Sequence, residues 1–271
     1  HIAVCDNKNC GTVNYSVVPP SREGIPCISC GKKLKSINFF ESIHKYHRLI
    51  LYHNYINYQQ GEEMSEYKFI IWDWNGTLLN DIGASLASVN DMLEMRGMQP
   101  INIDYYKECI CTPIKGFYDR VFDMEKEDYS VIIKQYNEGY LYHLKDCGLT
   151  DGAIAALERF KADGKIQVIV SSSNNEQLLK NAEKYGVTQY FDEILGANDY
   201  FAGSKIERAE EYLRKKGAKK GDVLVIGDLI HDLGMAKKLG ADCILLTSGH
   251  EHPERLKAAK VPLIDDLYGI I

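Results

Sequence analysis

From Tyr67 onward, short runs of consecutive apolar residues alternate with longer stretches whose apolar positions recur at helical spacing. The runs are Phe69-Ile70-Ile71-Trp72, Ile166-Gln167-Val168-Ile169-Val170, Val223-Leu224-Val225-Ile226 and Cys243-Ile244-Leu245-Leu246. They are too short for helices and too continuous for strands with one wet face, so they predict strands buried on both sides. Helical patterns lie between them at 154–162, 176–184, 206–215 and 233–239, followed by Gly164, Gly186, Gly217 and Gly240. Glycine accepts the left-handed conformation that ends a helix. Strand–helix alternation of this kind predicts an α/β fold, a three-layer parallel sheet with helices on both faces. Such sheets bind ligands beyond the carboxyl ends of their strands.

Residues 82–150 break the rhythm, with helical patterns such as 82–95 and 129–144 and no convincing strand. They read as a helical insertion, a cap of about 82–150 over the carboxyl edge of the sheet. Upstream, residues 37–60 carry apolar side chains at helical spacing and predict a connecting helix, and 59–63 reads as a linker. Met64-Ser65-Glu66 looks like the natural start of a free-standing protein. The expected organisation is a small module over 1–36, a connecting segment over 37–65 and a main domain over 66–271.

The 271 residues carry a formal net charge of −6, which gives no bulk attraction for nucleic acid or anionic lipid. No run of about 18 uncharged apolar residues is present, so no membrane-spanning helix is expected. No leader is visible either, which makes a reducing, cytoplasmic setting the expectation. Four of the eight cysteines, Cys5, Cys10, Cys27 and Cys30, crowd a Pro- and Gly-rich stretch too small to fold without a staple. Two pairs of thiolates suit tetrahedral structural zinc (Zn2+), with no open position for catalysis. Cys27-Ile28-Ser29-Cys30-Gly31-Lys32 resembles a zinc-ribbon knuckle, although the Cys5–Cys10 half departs from the usual spacing. A protein or nucleic-acid partner for this module is one expectation, with Lys32, Lys33 and Lys35 as slight support for the latter.

The polar residues that end the apolar runs carry the chemistry. Asp73 follows the first run, Ser171-Ser172-Ser173-Asn174 the second, and Gly227-Asp228 the third, with Asp232 beyond; Lys205 opens a helix between the last two. Carboxylates, hydroxyls and one lysine suit a phosphoryl group held through a hard cation such as magnesium (Mg2+).

In order, Asp73-Trp74-Asn75-Gly76-Thr77, the strand ending in Ser171, Lys205 and Gly227-Asp228-Leu229-Ile230-His231-Asp232 resemble the four motifs of the haloacid dehalogenase-like superfamily. The match spans about residues 67–271, and the insertion resembles the cap of phosphoglycolate phosphatase-like members. The resemblance implies a Rossmann-like core and a magnesium-dependent phosphatase acting on a small phosphorylated substrate. It implies Asp73 as nucleophile and metal ligand, and Asn75 as a ligand through its main-chain carbonyl. Asp228 and Asp232 complete the metal site. Thr77, Ser171, Ser172 and Lys205 are implied to hold the phosphoryl oxygens, with Lys205 bridging to Asp73.

One position departs from the pattern. The family's phosphatases usually carry an acid/base aspartate two residues after the nucleophile, and Asn75 stands there. An amide orients but cannot exchange a proton at neutral pH, and general acid–base catalysis typically contributes about 10²–10⁴-fold. Several readings stay open: a slow phosphatase, one in which Asp81 or His231 replaces the acid, or a phosphoenzyme that passes its group elsewhere. A phosphate- or partner-binding regulatory protein with weak turnover, and a nucleic-acid end phosphatase guided by the ribbon, are the alternatives. Trp72 reads as core and Trp74 as a wall of the substrate entrance. Gly249-His250-Glu251-His252 reads as an ordinary loop, Tyr105, Tyr106 and Tyr118 as cap packing, and His44, His47 and His53 as surface residues.

Overall fold

The computed structural model describes residues 67–197 and 205–271, together with three two-residue strands nearer the N-terminus. The chain divides into two units, His1–Gly61 and Glu62–Ile271. In the first, β1 (Ala3–Val4) pairs antiparallel with both β2 (Val13–Asn14) and β3 (Lys35–Ser36). Cys5, Cys10, Cys27 and Cys30, the expected connecting helix and the linker lie outside the described residues.

The second unit begins with β4 (Phe69–Trp72), buried along its whole length. The chain then turns through β5 (Leu79–Asn80) into α1 (Ile82–Glu94), α2 (Ile103–Cys109), α3 (Lys115–Val121) and α4 (Tyr129–His143). It returns through β6 (Gly148–Leu149), which pairs antiparallel with β5, so two adjacent chain crossings tie the cap to the core. A two-residue strand is too short to show alternation, which is why 82–150 reads as purely helical in the sequence. The core continues through α5 (Ala153–Ala162), β7 (Ile166–Asn174), α6 (Asn175–Lys184), β8 (Glu193–Ala197) and α7 (Lys205–Lys216). It ends with β9 (Val223–Gly227), α8 (Ile230–Leu239), β10 (Asp242–Leu246), α9 (Pro253–Ala258) and β11 (Leu263–Ile264).

The sheet has six strands in the order β11-β10-β9-β4-β7-β8, and its pairings are all parallel. The four predicted strands are its centre. β8 and β11 are added at the edges, where half-exposed residues dilute the apolar signal. β7 is longer than the apolar run, since Ser171, Ser172 and Ser173 continue the strand and Asn174 caps α6 by accepting from the Gln177 amide.

Period-two alternation sends Ile70 and Trp72 into one core cluster, with Leu157 and Phe160, and Phe69 and Ile71 into the other, with Tyr212 and Leu245. Trp74, expected at the substrate entrance, is fully buried in the first cluster beside Tyr185. An indole buries a large apolar area, and it goes where sheet and helices exclude water. Gln167, polar in a central strand, accepts from Trp72 Nε1 at 3.0 Å and donates to the Leu157 carbonyl at 2.9 Å. Losing either partner would strand a buried polar group at roughly 1–3 kcal/mol. The cap has a core of its own around Val89, Met92, Tyr106, Phe117, Tyr118 and Ile132. Among the described residues, no helix is long and apolar enough to cross a membrane.

Candidate active site

Strand order decides which residues meet. β4 lies between β9 and β7, so Asp73 after β4 sits between Asp228 after β9 and Ser171 near the end of β7. Asp73, Asp228 and Asp232 are all buried, and one carboxylate oxygen from each lies within 4.8 Å of the others. Lys205, buried at the start of α7, donates to Asp73 Oδ1 and, at 2.6 Å, to Asp232 Oδ1. The other oxygen of Asp232 accepts from the Asp228 and Leu229 amides at 3.2 and 3.1 Å, which fixes the turn that carries Asp228. Thr77 donates to Asp228 Oδ1 at 3.2 Å, and its hydroxyl lies 3.5 Å from Asp73 Oδ2.

Three carboxylates against one ammonium leave the cluster short of positive charge. Burial is the largest influence on Asp73 and lifts its pKa to about 6 against the pull of Lys205. Burial likewise lifts Asp228 to about 8, with His250 opposing and Asp73 and Asp232 adding to the rise. Lys205 is disfavoured by burial, yet Asp232 and Asp73 together hold its proton more firmly than in an ordinary lysine. A set of hard oxygen donors with surplus negative charge fits a magnesium-sized cation.

At Gly76 the loop after Asp73 is packed too tightly for a side chain. Gly76 has φ +73°, and a Cβ there would lie 2.3 Å from Asp228 Oδ2 and 2.4 Å from His250 Cδ2. Along β7, the two-residue period puts Ser171 and Ser173 on one side. Ser171 is buried and accepts from the Ser173 amide at 3.1 Å; Ser173 donates to Asn75 Oδ1 at 2.5 Å. Ser172 is exposed and makes no hydrogen bond to the cluster among the described residues.

The amide of Asn75 is fully engaged. Its Nδ2 donates to Asp81 Oδ2 and to the Tyr140 hydroxyl, both at 2.7 Å. Asp81 also accepts from the Gly76 amide and from Tyr140, each at 2.7 Å, and its Oδ1 lies 3.2 Å from His250 Nε2. His250 Nδ1 pairs with the Tyr106 hydroxyl at 2.9 Å, and the His250 amide donates to Asp228 Oδ2 at 2.6 Å. Burial raises the Asp81 pKa, but the His250 charge and the hydrogen bonds from His250, Tyr140 and Asn75 outweigh it and hold the carboxyl below its ordinary range. That direction is the opposite of what a proton donor at neutral pH needs. His231, the other candidate acid, is half-buried on the first turn of α8, and burial lowers its pKa.

Sequence reasoning missed His250, Tyr106, Tyr140 and Ser173. The first was set aside as loop and Tyr106 as packing. The available signal was position: Gly249-His250 closes the loop after β10, on the same carboxyl edge as the other site residues.

A sequence model of the family described as "Haloacid dehalogenase-like hydrolase" matches residues 70–246. A relative from Dickeya dadantii, named a probable phosphatase, is 26% identical over 206 residues, spanning 73% of this chain and 89% of its own. A phosphoglycolate phosphatase of Aliivibrio fischeri is 23% identical over 210 residues, spanning 73% of this chain and 92% of its own. Among solved structures, a haloacid dehalogenase-like family hydrolase from Streptococcus pneumoniae gives a TM-score of 0.64 at 17% identity, with 73% of this chain and 93% of that one covered. At that identity the likeness is one of fold.

Proposed function

Since this chain belongs to the haloacid dehalogenase-like hydrolase family, we propose that it is a magnesium-dependent phosphatase that hydrolyses a small phosphomonoester through a phosphorylated Asp73. The observation that carries this reading is the buried group in which Lys205 bridges Asp73 and Asp232, with Asp228 beside them. Asp73, Asp228, Asp232 and the Asn75 carbonyl would hold the cation, which when bound offsets negative charge on the phosphoryl oxygens.

The chain's own residues do the rest. A carboxylate oxygen of Asp73 attacks phosphorus and forms an acyl phosphate, while the bond from phosphorus to the ester oxygen breaks. Lys205 orients Asp73 and neutralises charge that gathers on the phosphoryl oxygens in the transition state. Ser171, Thr77 and the amides that follow Asp73 line the same edge and supply donors for those oxygens. The leaving oxygen takes its proton from water, because the Asn75 amide has none to give. Water then attacks phosphorus, the bond to Asp73 breaks, and inorganic phosphate departs with the carboxylate restored.

A helical cap over the site, and relatives named as phosphoglycolate phosphatases, support a small substrate. Structural zinc on Cys5, Cys10, Cys27 and Cys30, and a partner recruited by residues 1–36, belong to the same proposal. One metal analysis of purified protein checks the zinc. The activity is tested with a panel of phosphate esters and magnesium. Asp73→Asn is expected to lose turnover, and a variant that turns over as fast as the unmodified chain removes Asp73 from the mechanism.

A further inference from the structure

Asp81 stands where the chain leaves the core for the cap, at the residue before α1. An aspartate there ordinarily caps its own helix by accepting from the first-turn amides. This one makes no capping hydrogen bond. Its carboxylate instead takes four donors from three other places: Gly76 N and Asn75 Nδ2 in the loop after Asp73, the Tyr140 hydroxyl on α4, and His250 Nε2 after β10. His250 extends the network to Tyr106 on α2 through one ring nitrogen and to Asp228 through its amide. One cap helix, the loop after Asp73 and the loop after β10 therefore converge on one buried side chain, and His250 links it onward to a second cap helix and to Asp228.

We propose that Asp81 is a positioning residue that makes the seating of the cap and the alignment of the Asp73 and Asp228 loops a single event, and that it dictates an amide at residue 75. The second half follows from direction. The Asn75 nitrogen faces Asp81 at 2.7 Å while its oxygen takes the Ser173 proton. A carboxylate at 75 would turn a second acceptor toward Asp81 where a donor now stands, and two acceptors leave that hydrogen bond unmade. Asn75 and Asp81 thus form a matched pair, and the missing acid/base aspartate is the consequence of placing a carboxylate at 81.

The cap has a second, independent tether. Arg255 on α9, held by Glu251 at 2.5 Å, donates to the carbonyls of Lys107, Glu108 and Ile110 at the end of α2, at 2.7, 3.1 and 3.1 Å. Loss of the Asp81 hub therefore loosens the cap without freeing it.

The kinetic arm of the test rests on the phosphatase reading; the exchange arm does not. Four full-length proteins are compared: unmodified, Asp81→Asn, Asn75→Asp, and the swap carrying both. In the swap, a carboxylate at 75 still faces an amide at 81, and every donor keeps an acceptor. Hydrogen–deuterium exchange is expected to rise in α2, α4 and residues 74–77 in each single variant, with β4 and β9 unchanged. It returns to the unmodified level in the swap. For a chromogenic phosphate ester, kcat of the swap should exceed that of either single variant by about tenfold or more, as for residues sharing one hydrogen-bond network, with KM changing less. Tyr140→Phe, which removes one donor to Asp81 and one acceptor of Asn75, should raise exchange in α4 and in residues 74–77 while leaving α2 unchanged. Additive single effects, or exchange that rises throughout the sheet, would overturn the proposal. If no protein turns over any ester, the phosphatase reading fails, while the exchange pattern still decides the role of Asp81.

Discussion

The surplus of negative charge at Asp73, Asp228 and Asp232 makes the stability of the metal-free protein depend on pH in a specific direction. Two like charges within 4.8 Å of each other repel by at least about 3.5 kcal/mol at an effective dielectric constant near 20, and Lys205 neutralises only one of the three. In the folded chain, Asp73 titrates near about 6 and Asp228 near about 8, both raised first by burial. In the unfolded chain both titrate near the ordinary carboxylate value of 3.8. Between those values the folded state holds protons that the unfolded state has released. Their contribution to stability is therefore complete below the unfolded value of 3.8 and is lost as pH rises through about 6 and about 8. His250, whose proton Asp81 and Asp228 retain against burial, acts in the same sense, since a raised histidine loses its contribution as pH rises. Magnesium replaces those protons, so its stabilising effect should grow with pH. At one hundred times its dissociation constant a ligand contributes about 2.7 kcal/mol, or about 5–10 °C in Tm for a domain of roughly 200 residues. Scanning calorimetry on chelator-treated protein at pH 5.5 and pH 8, with and without magnesium, reads this out. Asp228→Asn serves as the control, and it should flatten the profile. A magnesium shift equal at both pH values, or a metal-free Tm that rises from pH 5.5 to pH 8, would mean that these carboxyls are not held protonated by burial.

Because Asn75 cannot protonate a leaving group, kcat/KM should climb steeply as the leaving group becomes a weaker base; a series of substituted phenyl phosphates measures the slope, and a flat series would mean that some other residue donates the proton. Gly76→Ala should cost at least about 1 kcal/mol of stability from its left-handed backbone alone. It should also weaken magnesium binding, because its Cβ would displace Asp228 and His250; a denaturant melt and a magnesium titration check both. Lys205→Met removes the ammonium that bridges Asp73 and Asp232. It should cost about 3–5 kcal/mol in metal-free protein at pH 8 and less at pH 5.5, where fewer of the carboxylates are charged.

The catalytic edge was legible because four apolar runs are long enough to declare themselves and each stops at a polar residue. Asp73, Ser171 and Asp228 follow those runs directly; Lys205 and Asp232 stood out only through the order of the motifs. Ser172 and Ser173 cannot be told apart in a strand that ends at Ser171; its continuation to Asn174 decides which serine faces Asn75. Trp74 follows a buried strand and precedes a turn, and only the packed helices show that its ring lies inward. The Asp81–His250 contact joins residues 169 positions apart, a proximity that no local spacing encodes. Asp81 was named, with His231, as a replacement acid for the position of Asn75. Its four donors show it as an acceptor.

Whether a phosphoryl group bonds to Asp73 decides the proposed mechanism. Acid-quenching the protein within one turnover of a phosphate ester, in the presence of magnesium, and mapping the product by peptide mass spectrometry measures this directly. The expected result is a phosphoryl adduct on the peptide that contains Asp73, released by hydroxylamine as an acyl phosphate must be, and absent from Asp73→Asn. Steady turnover with no adduct at any quench time, or an adduct on a different residue, would contradict it.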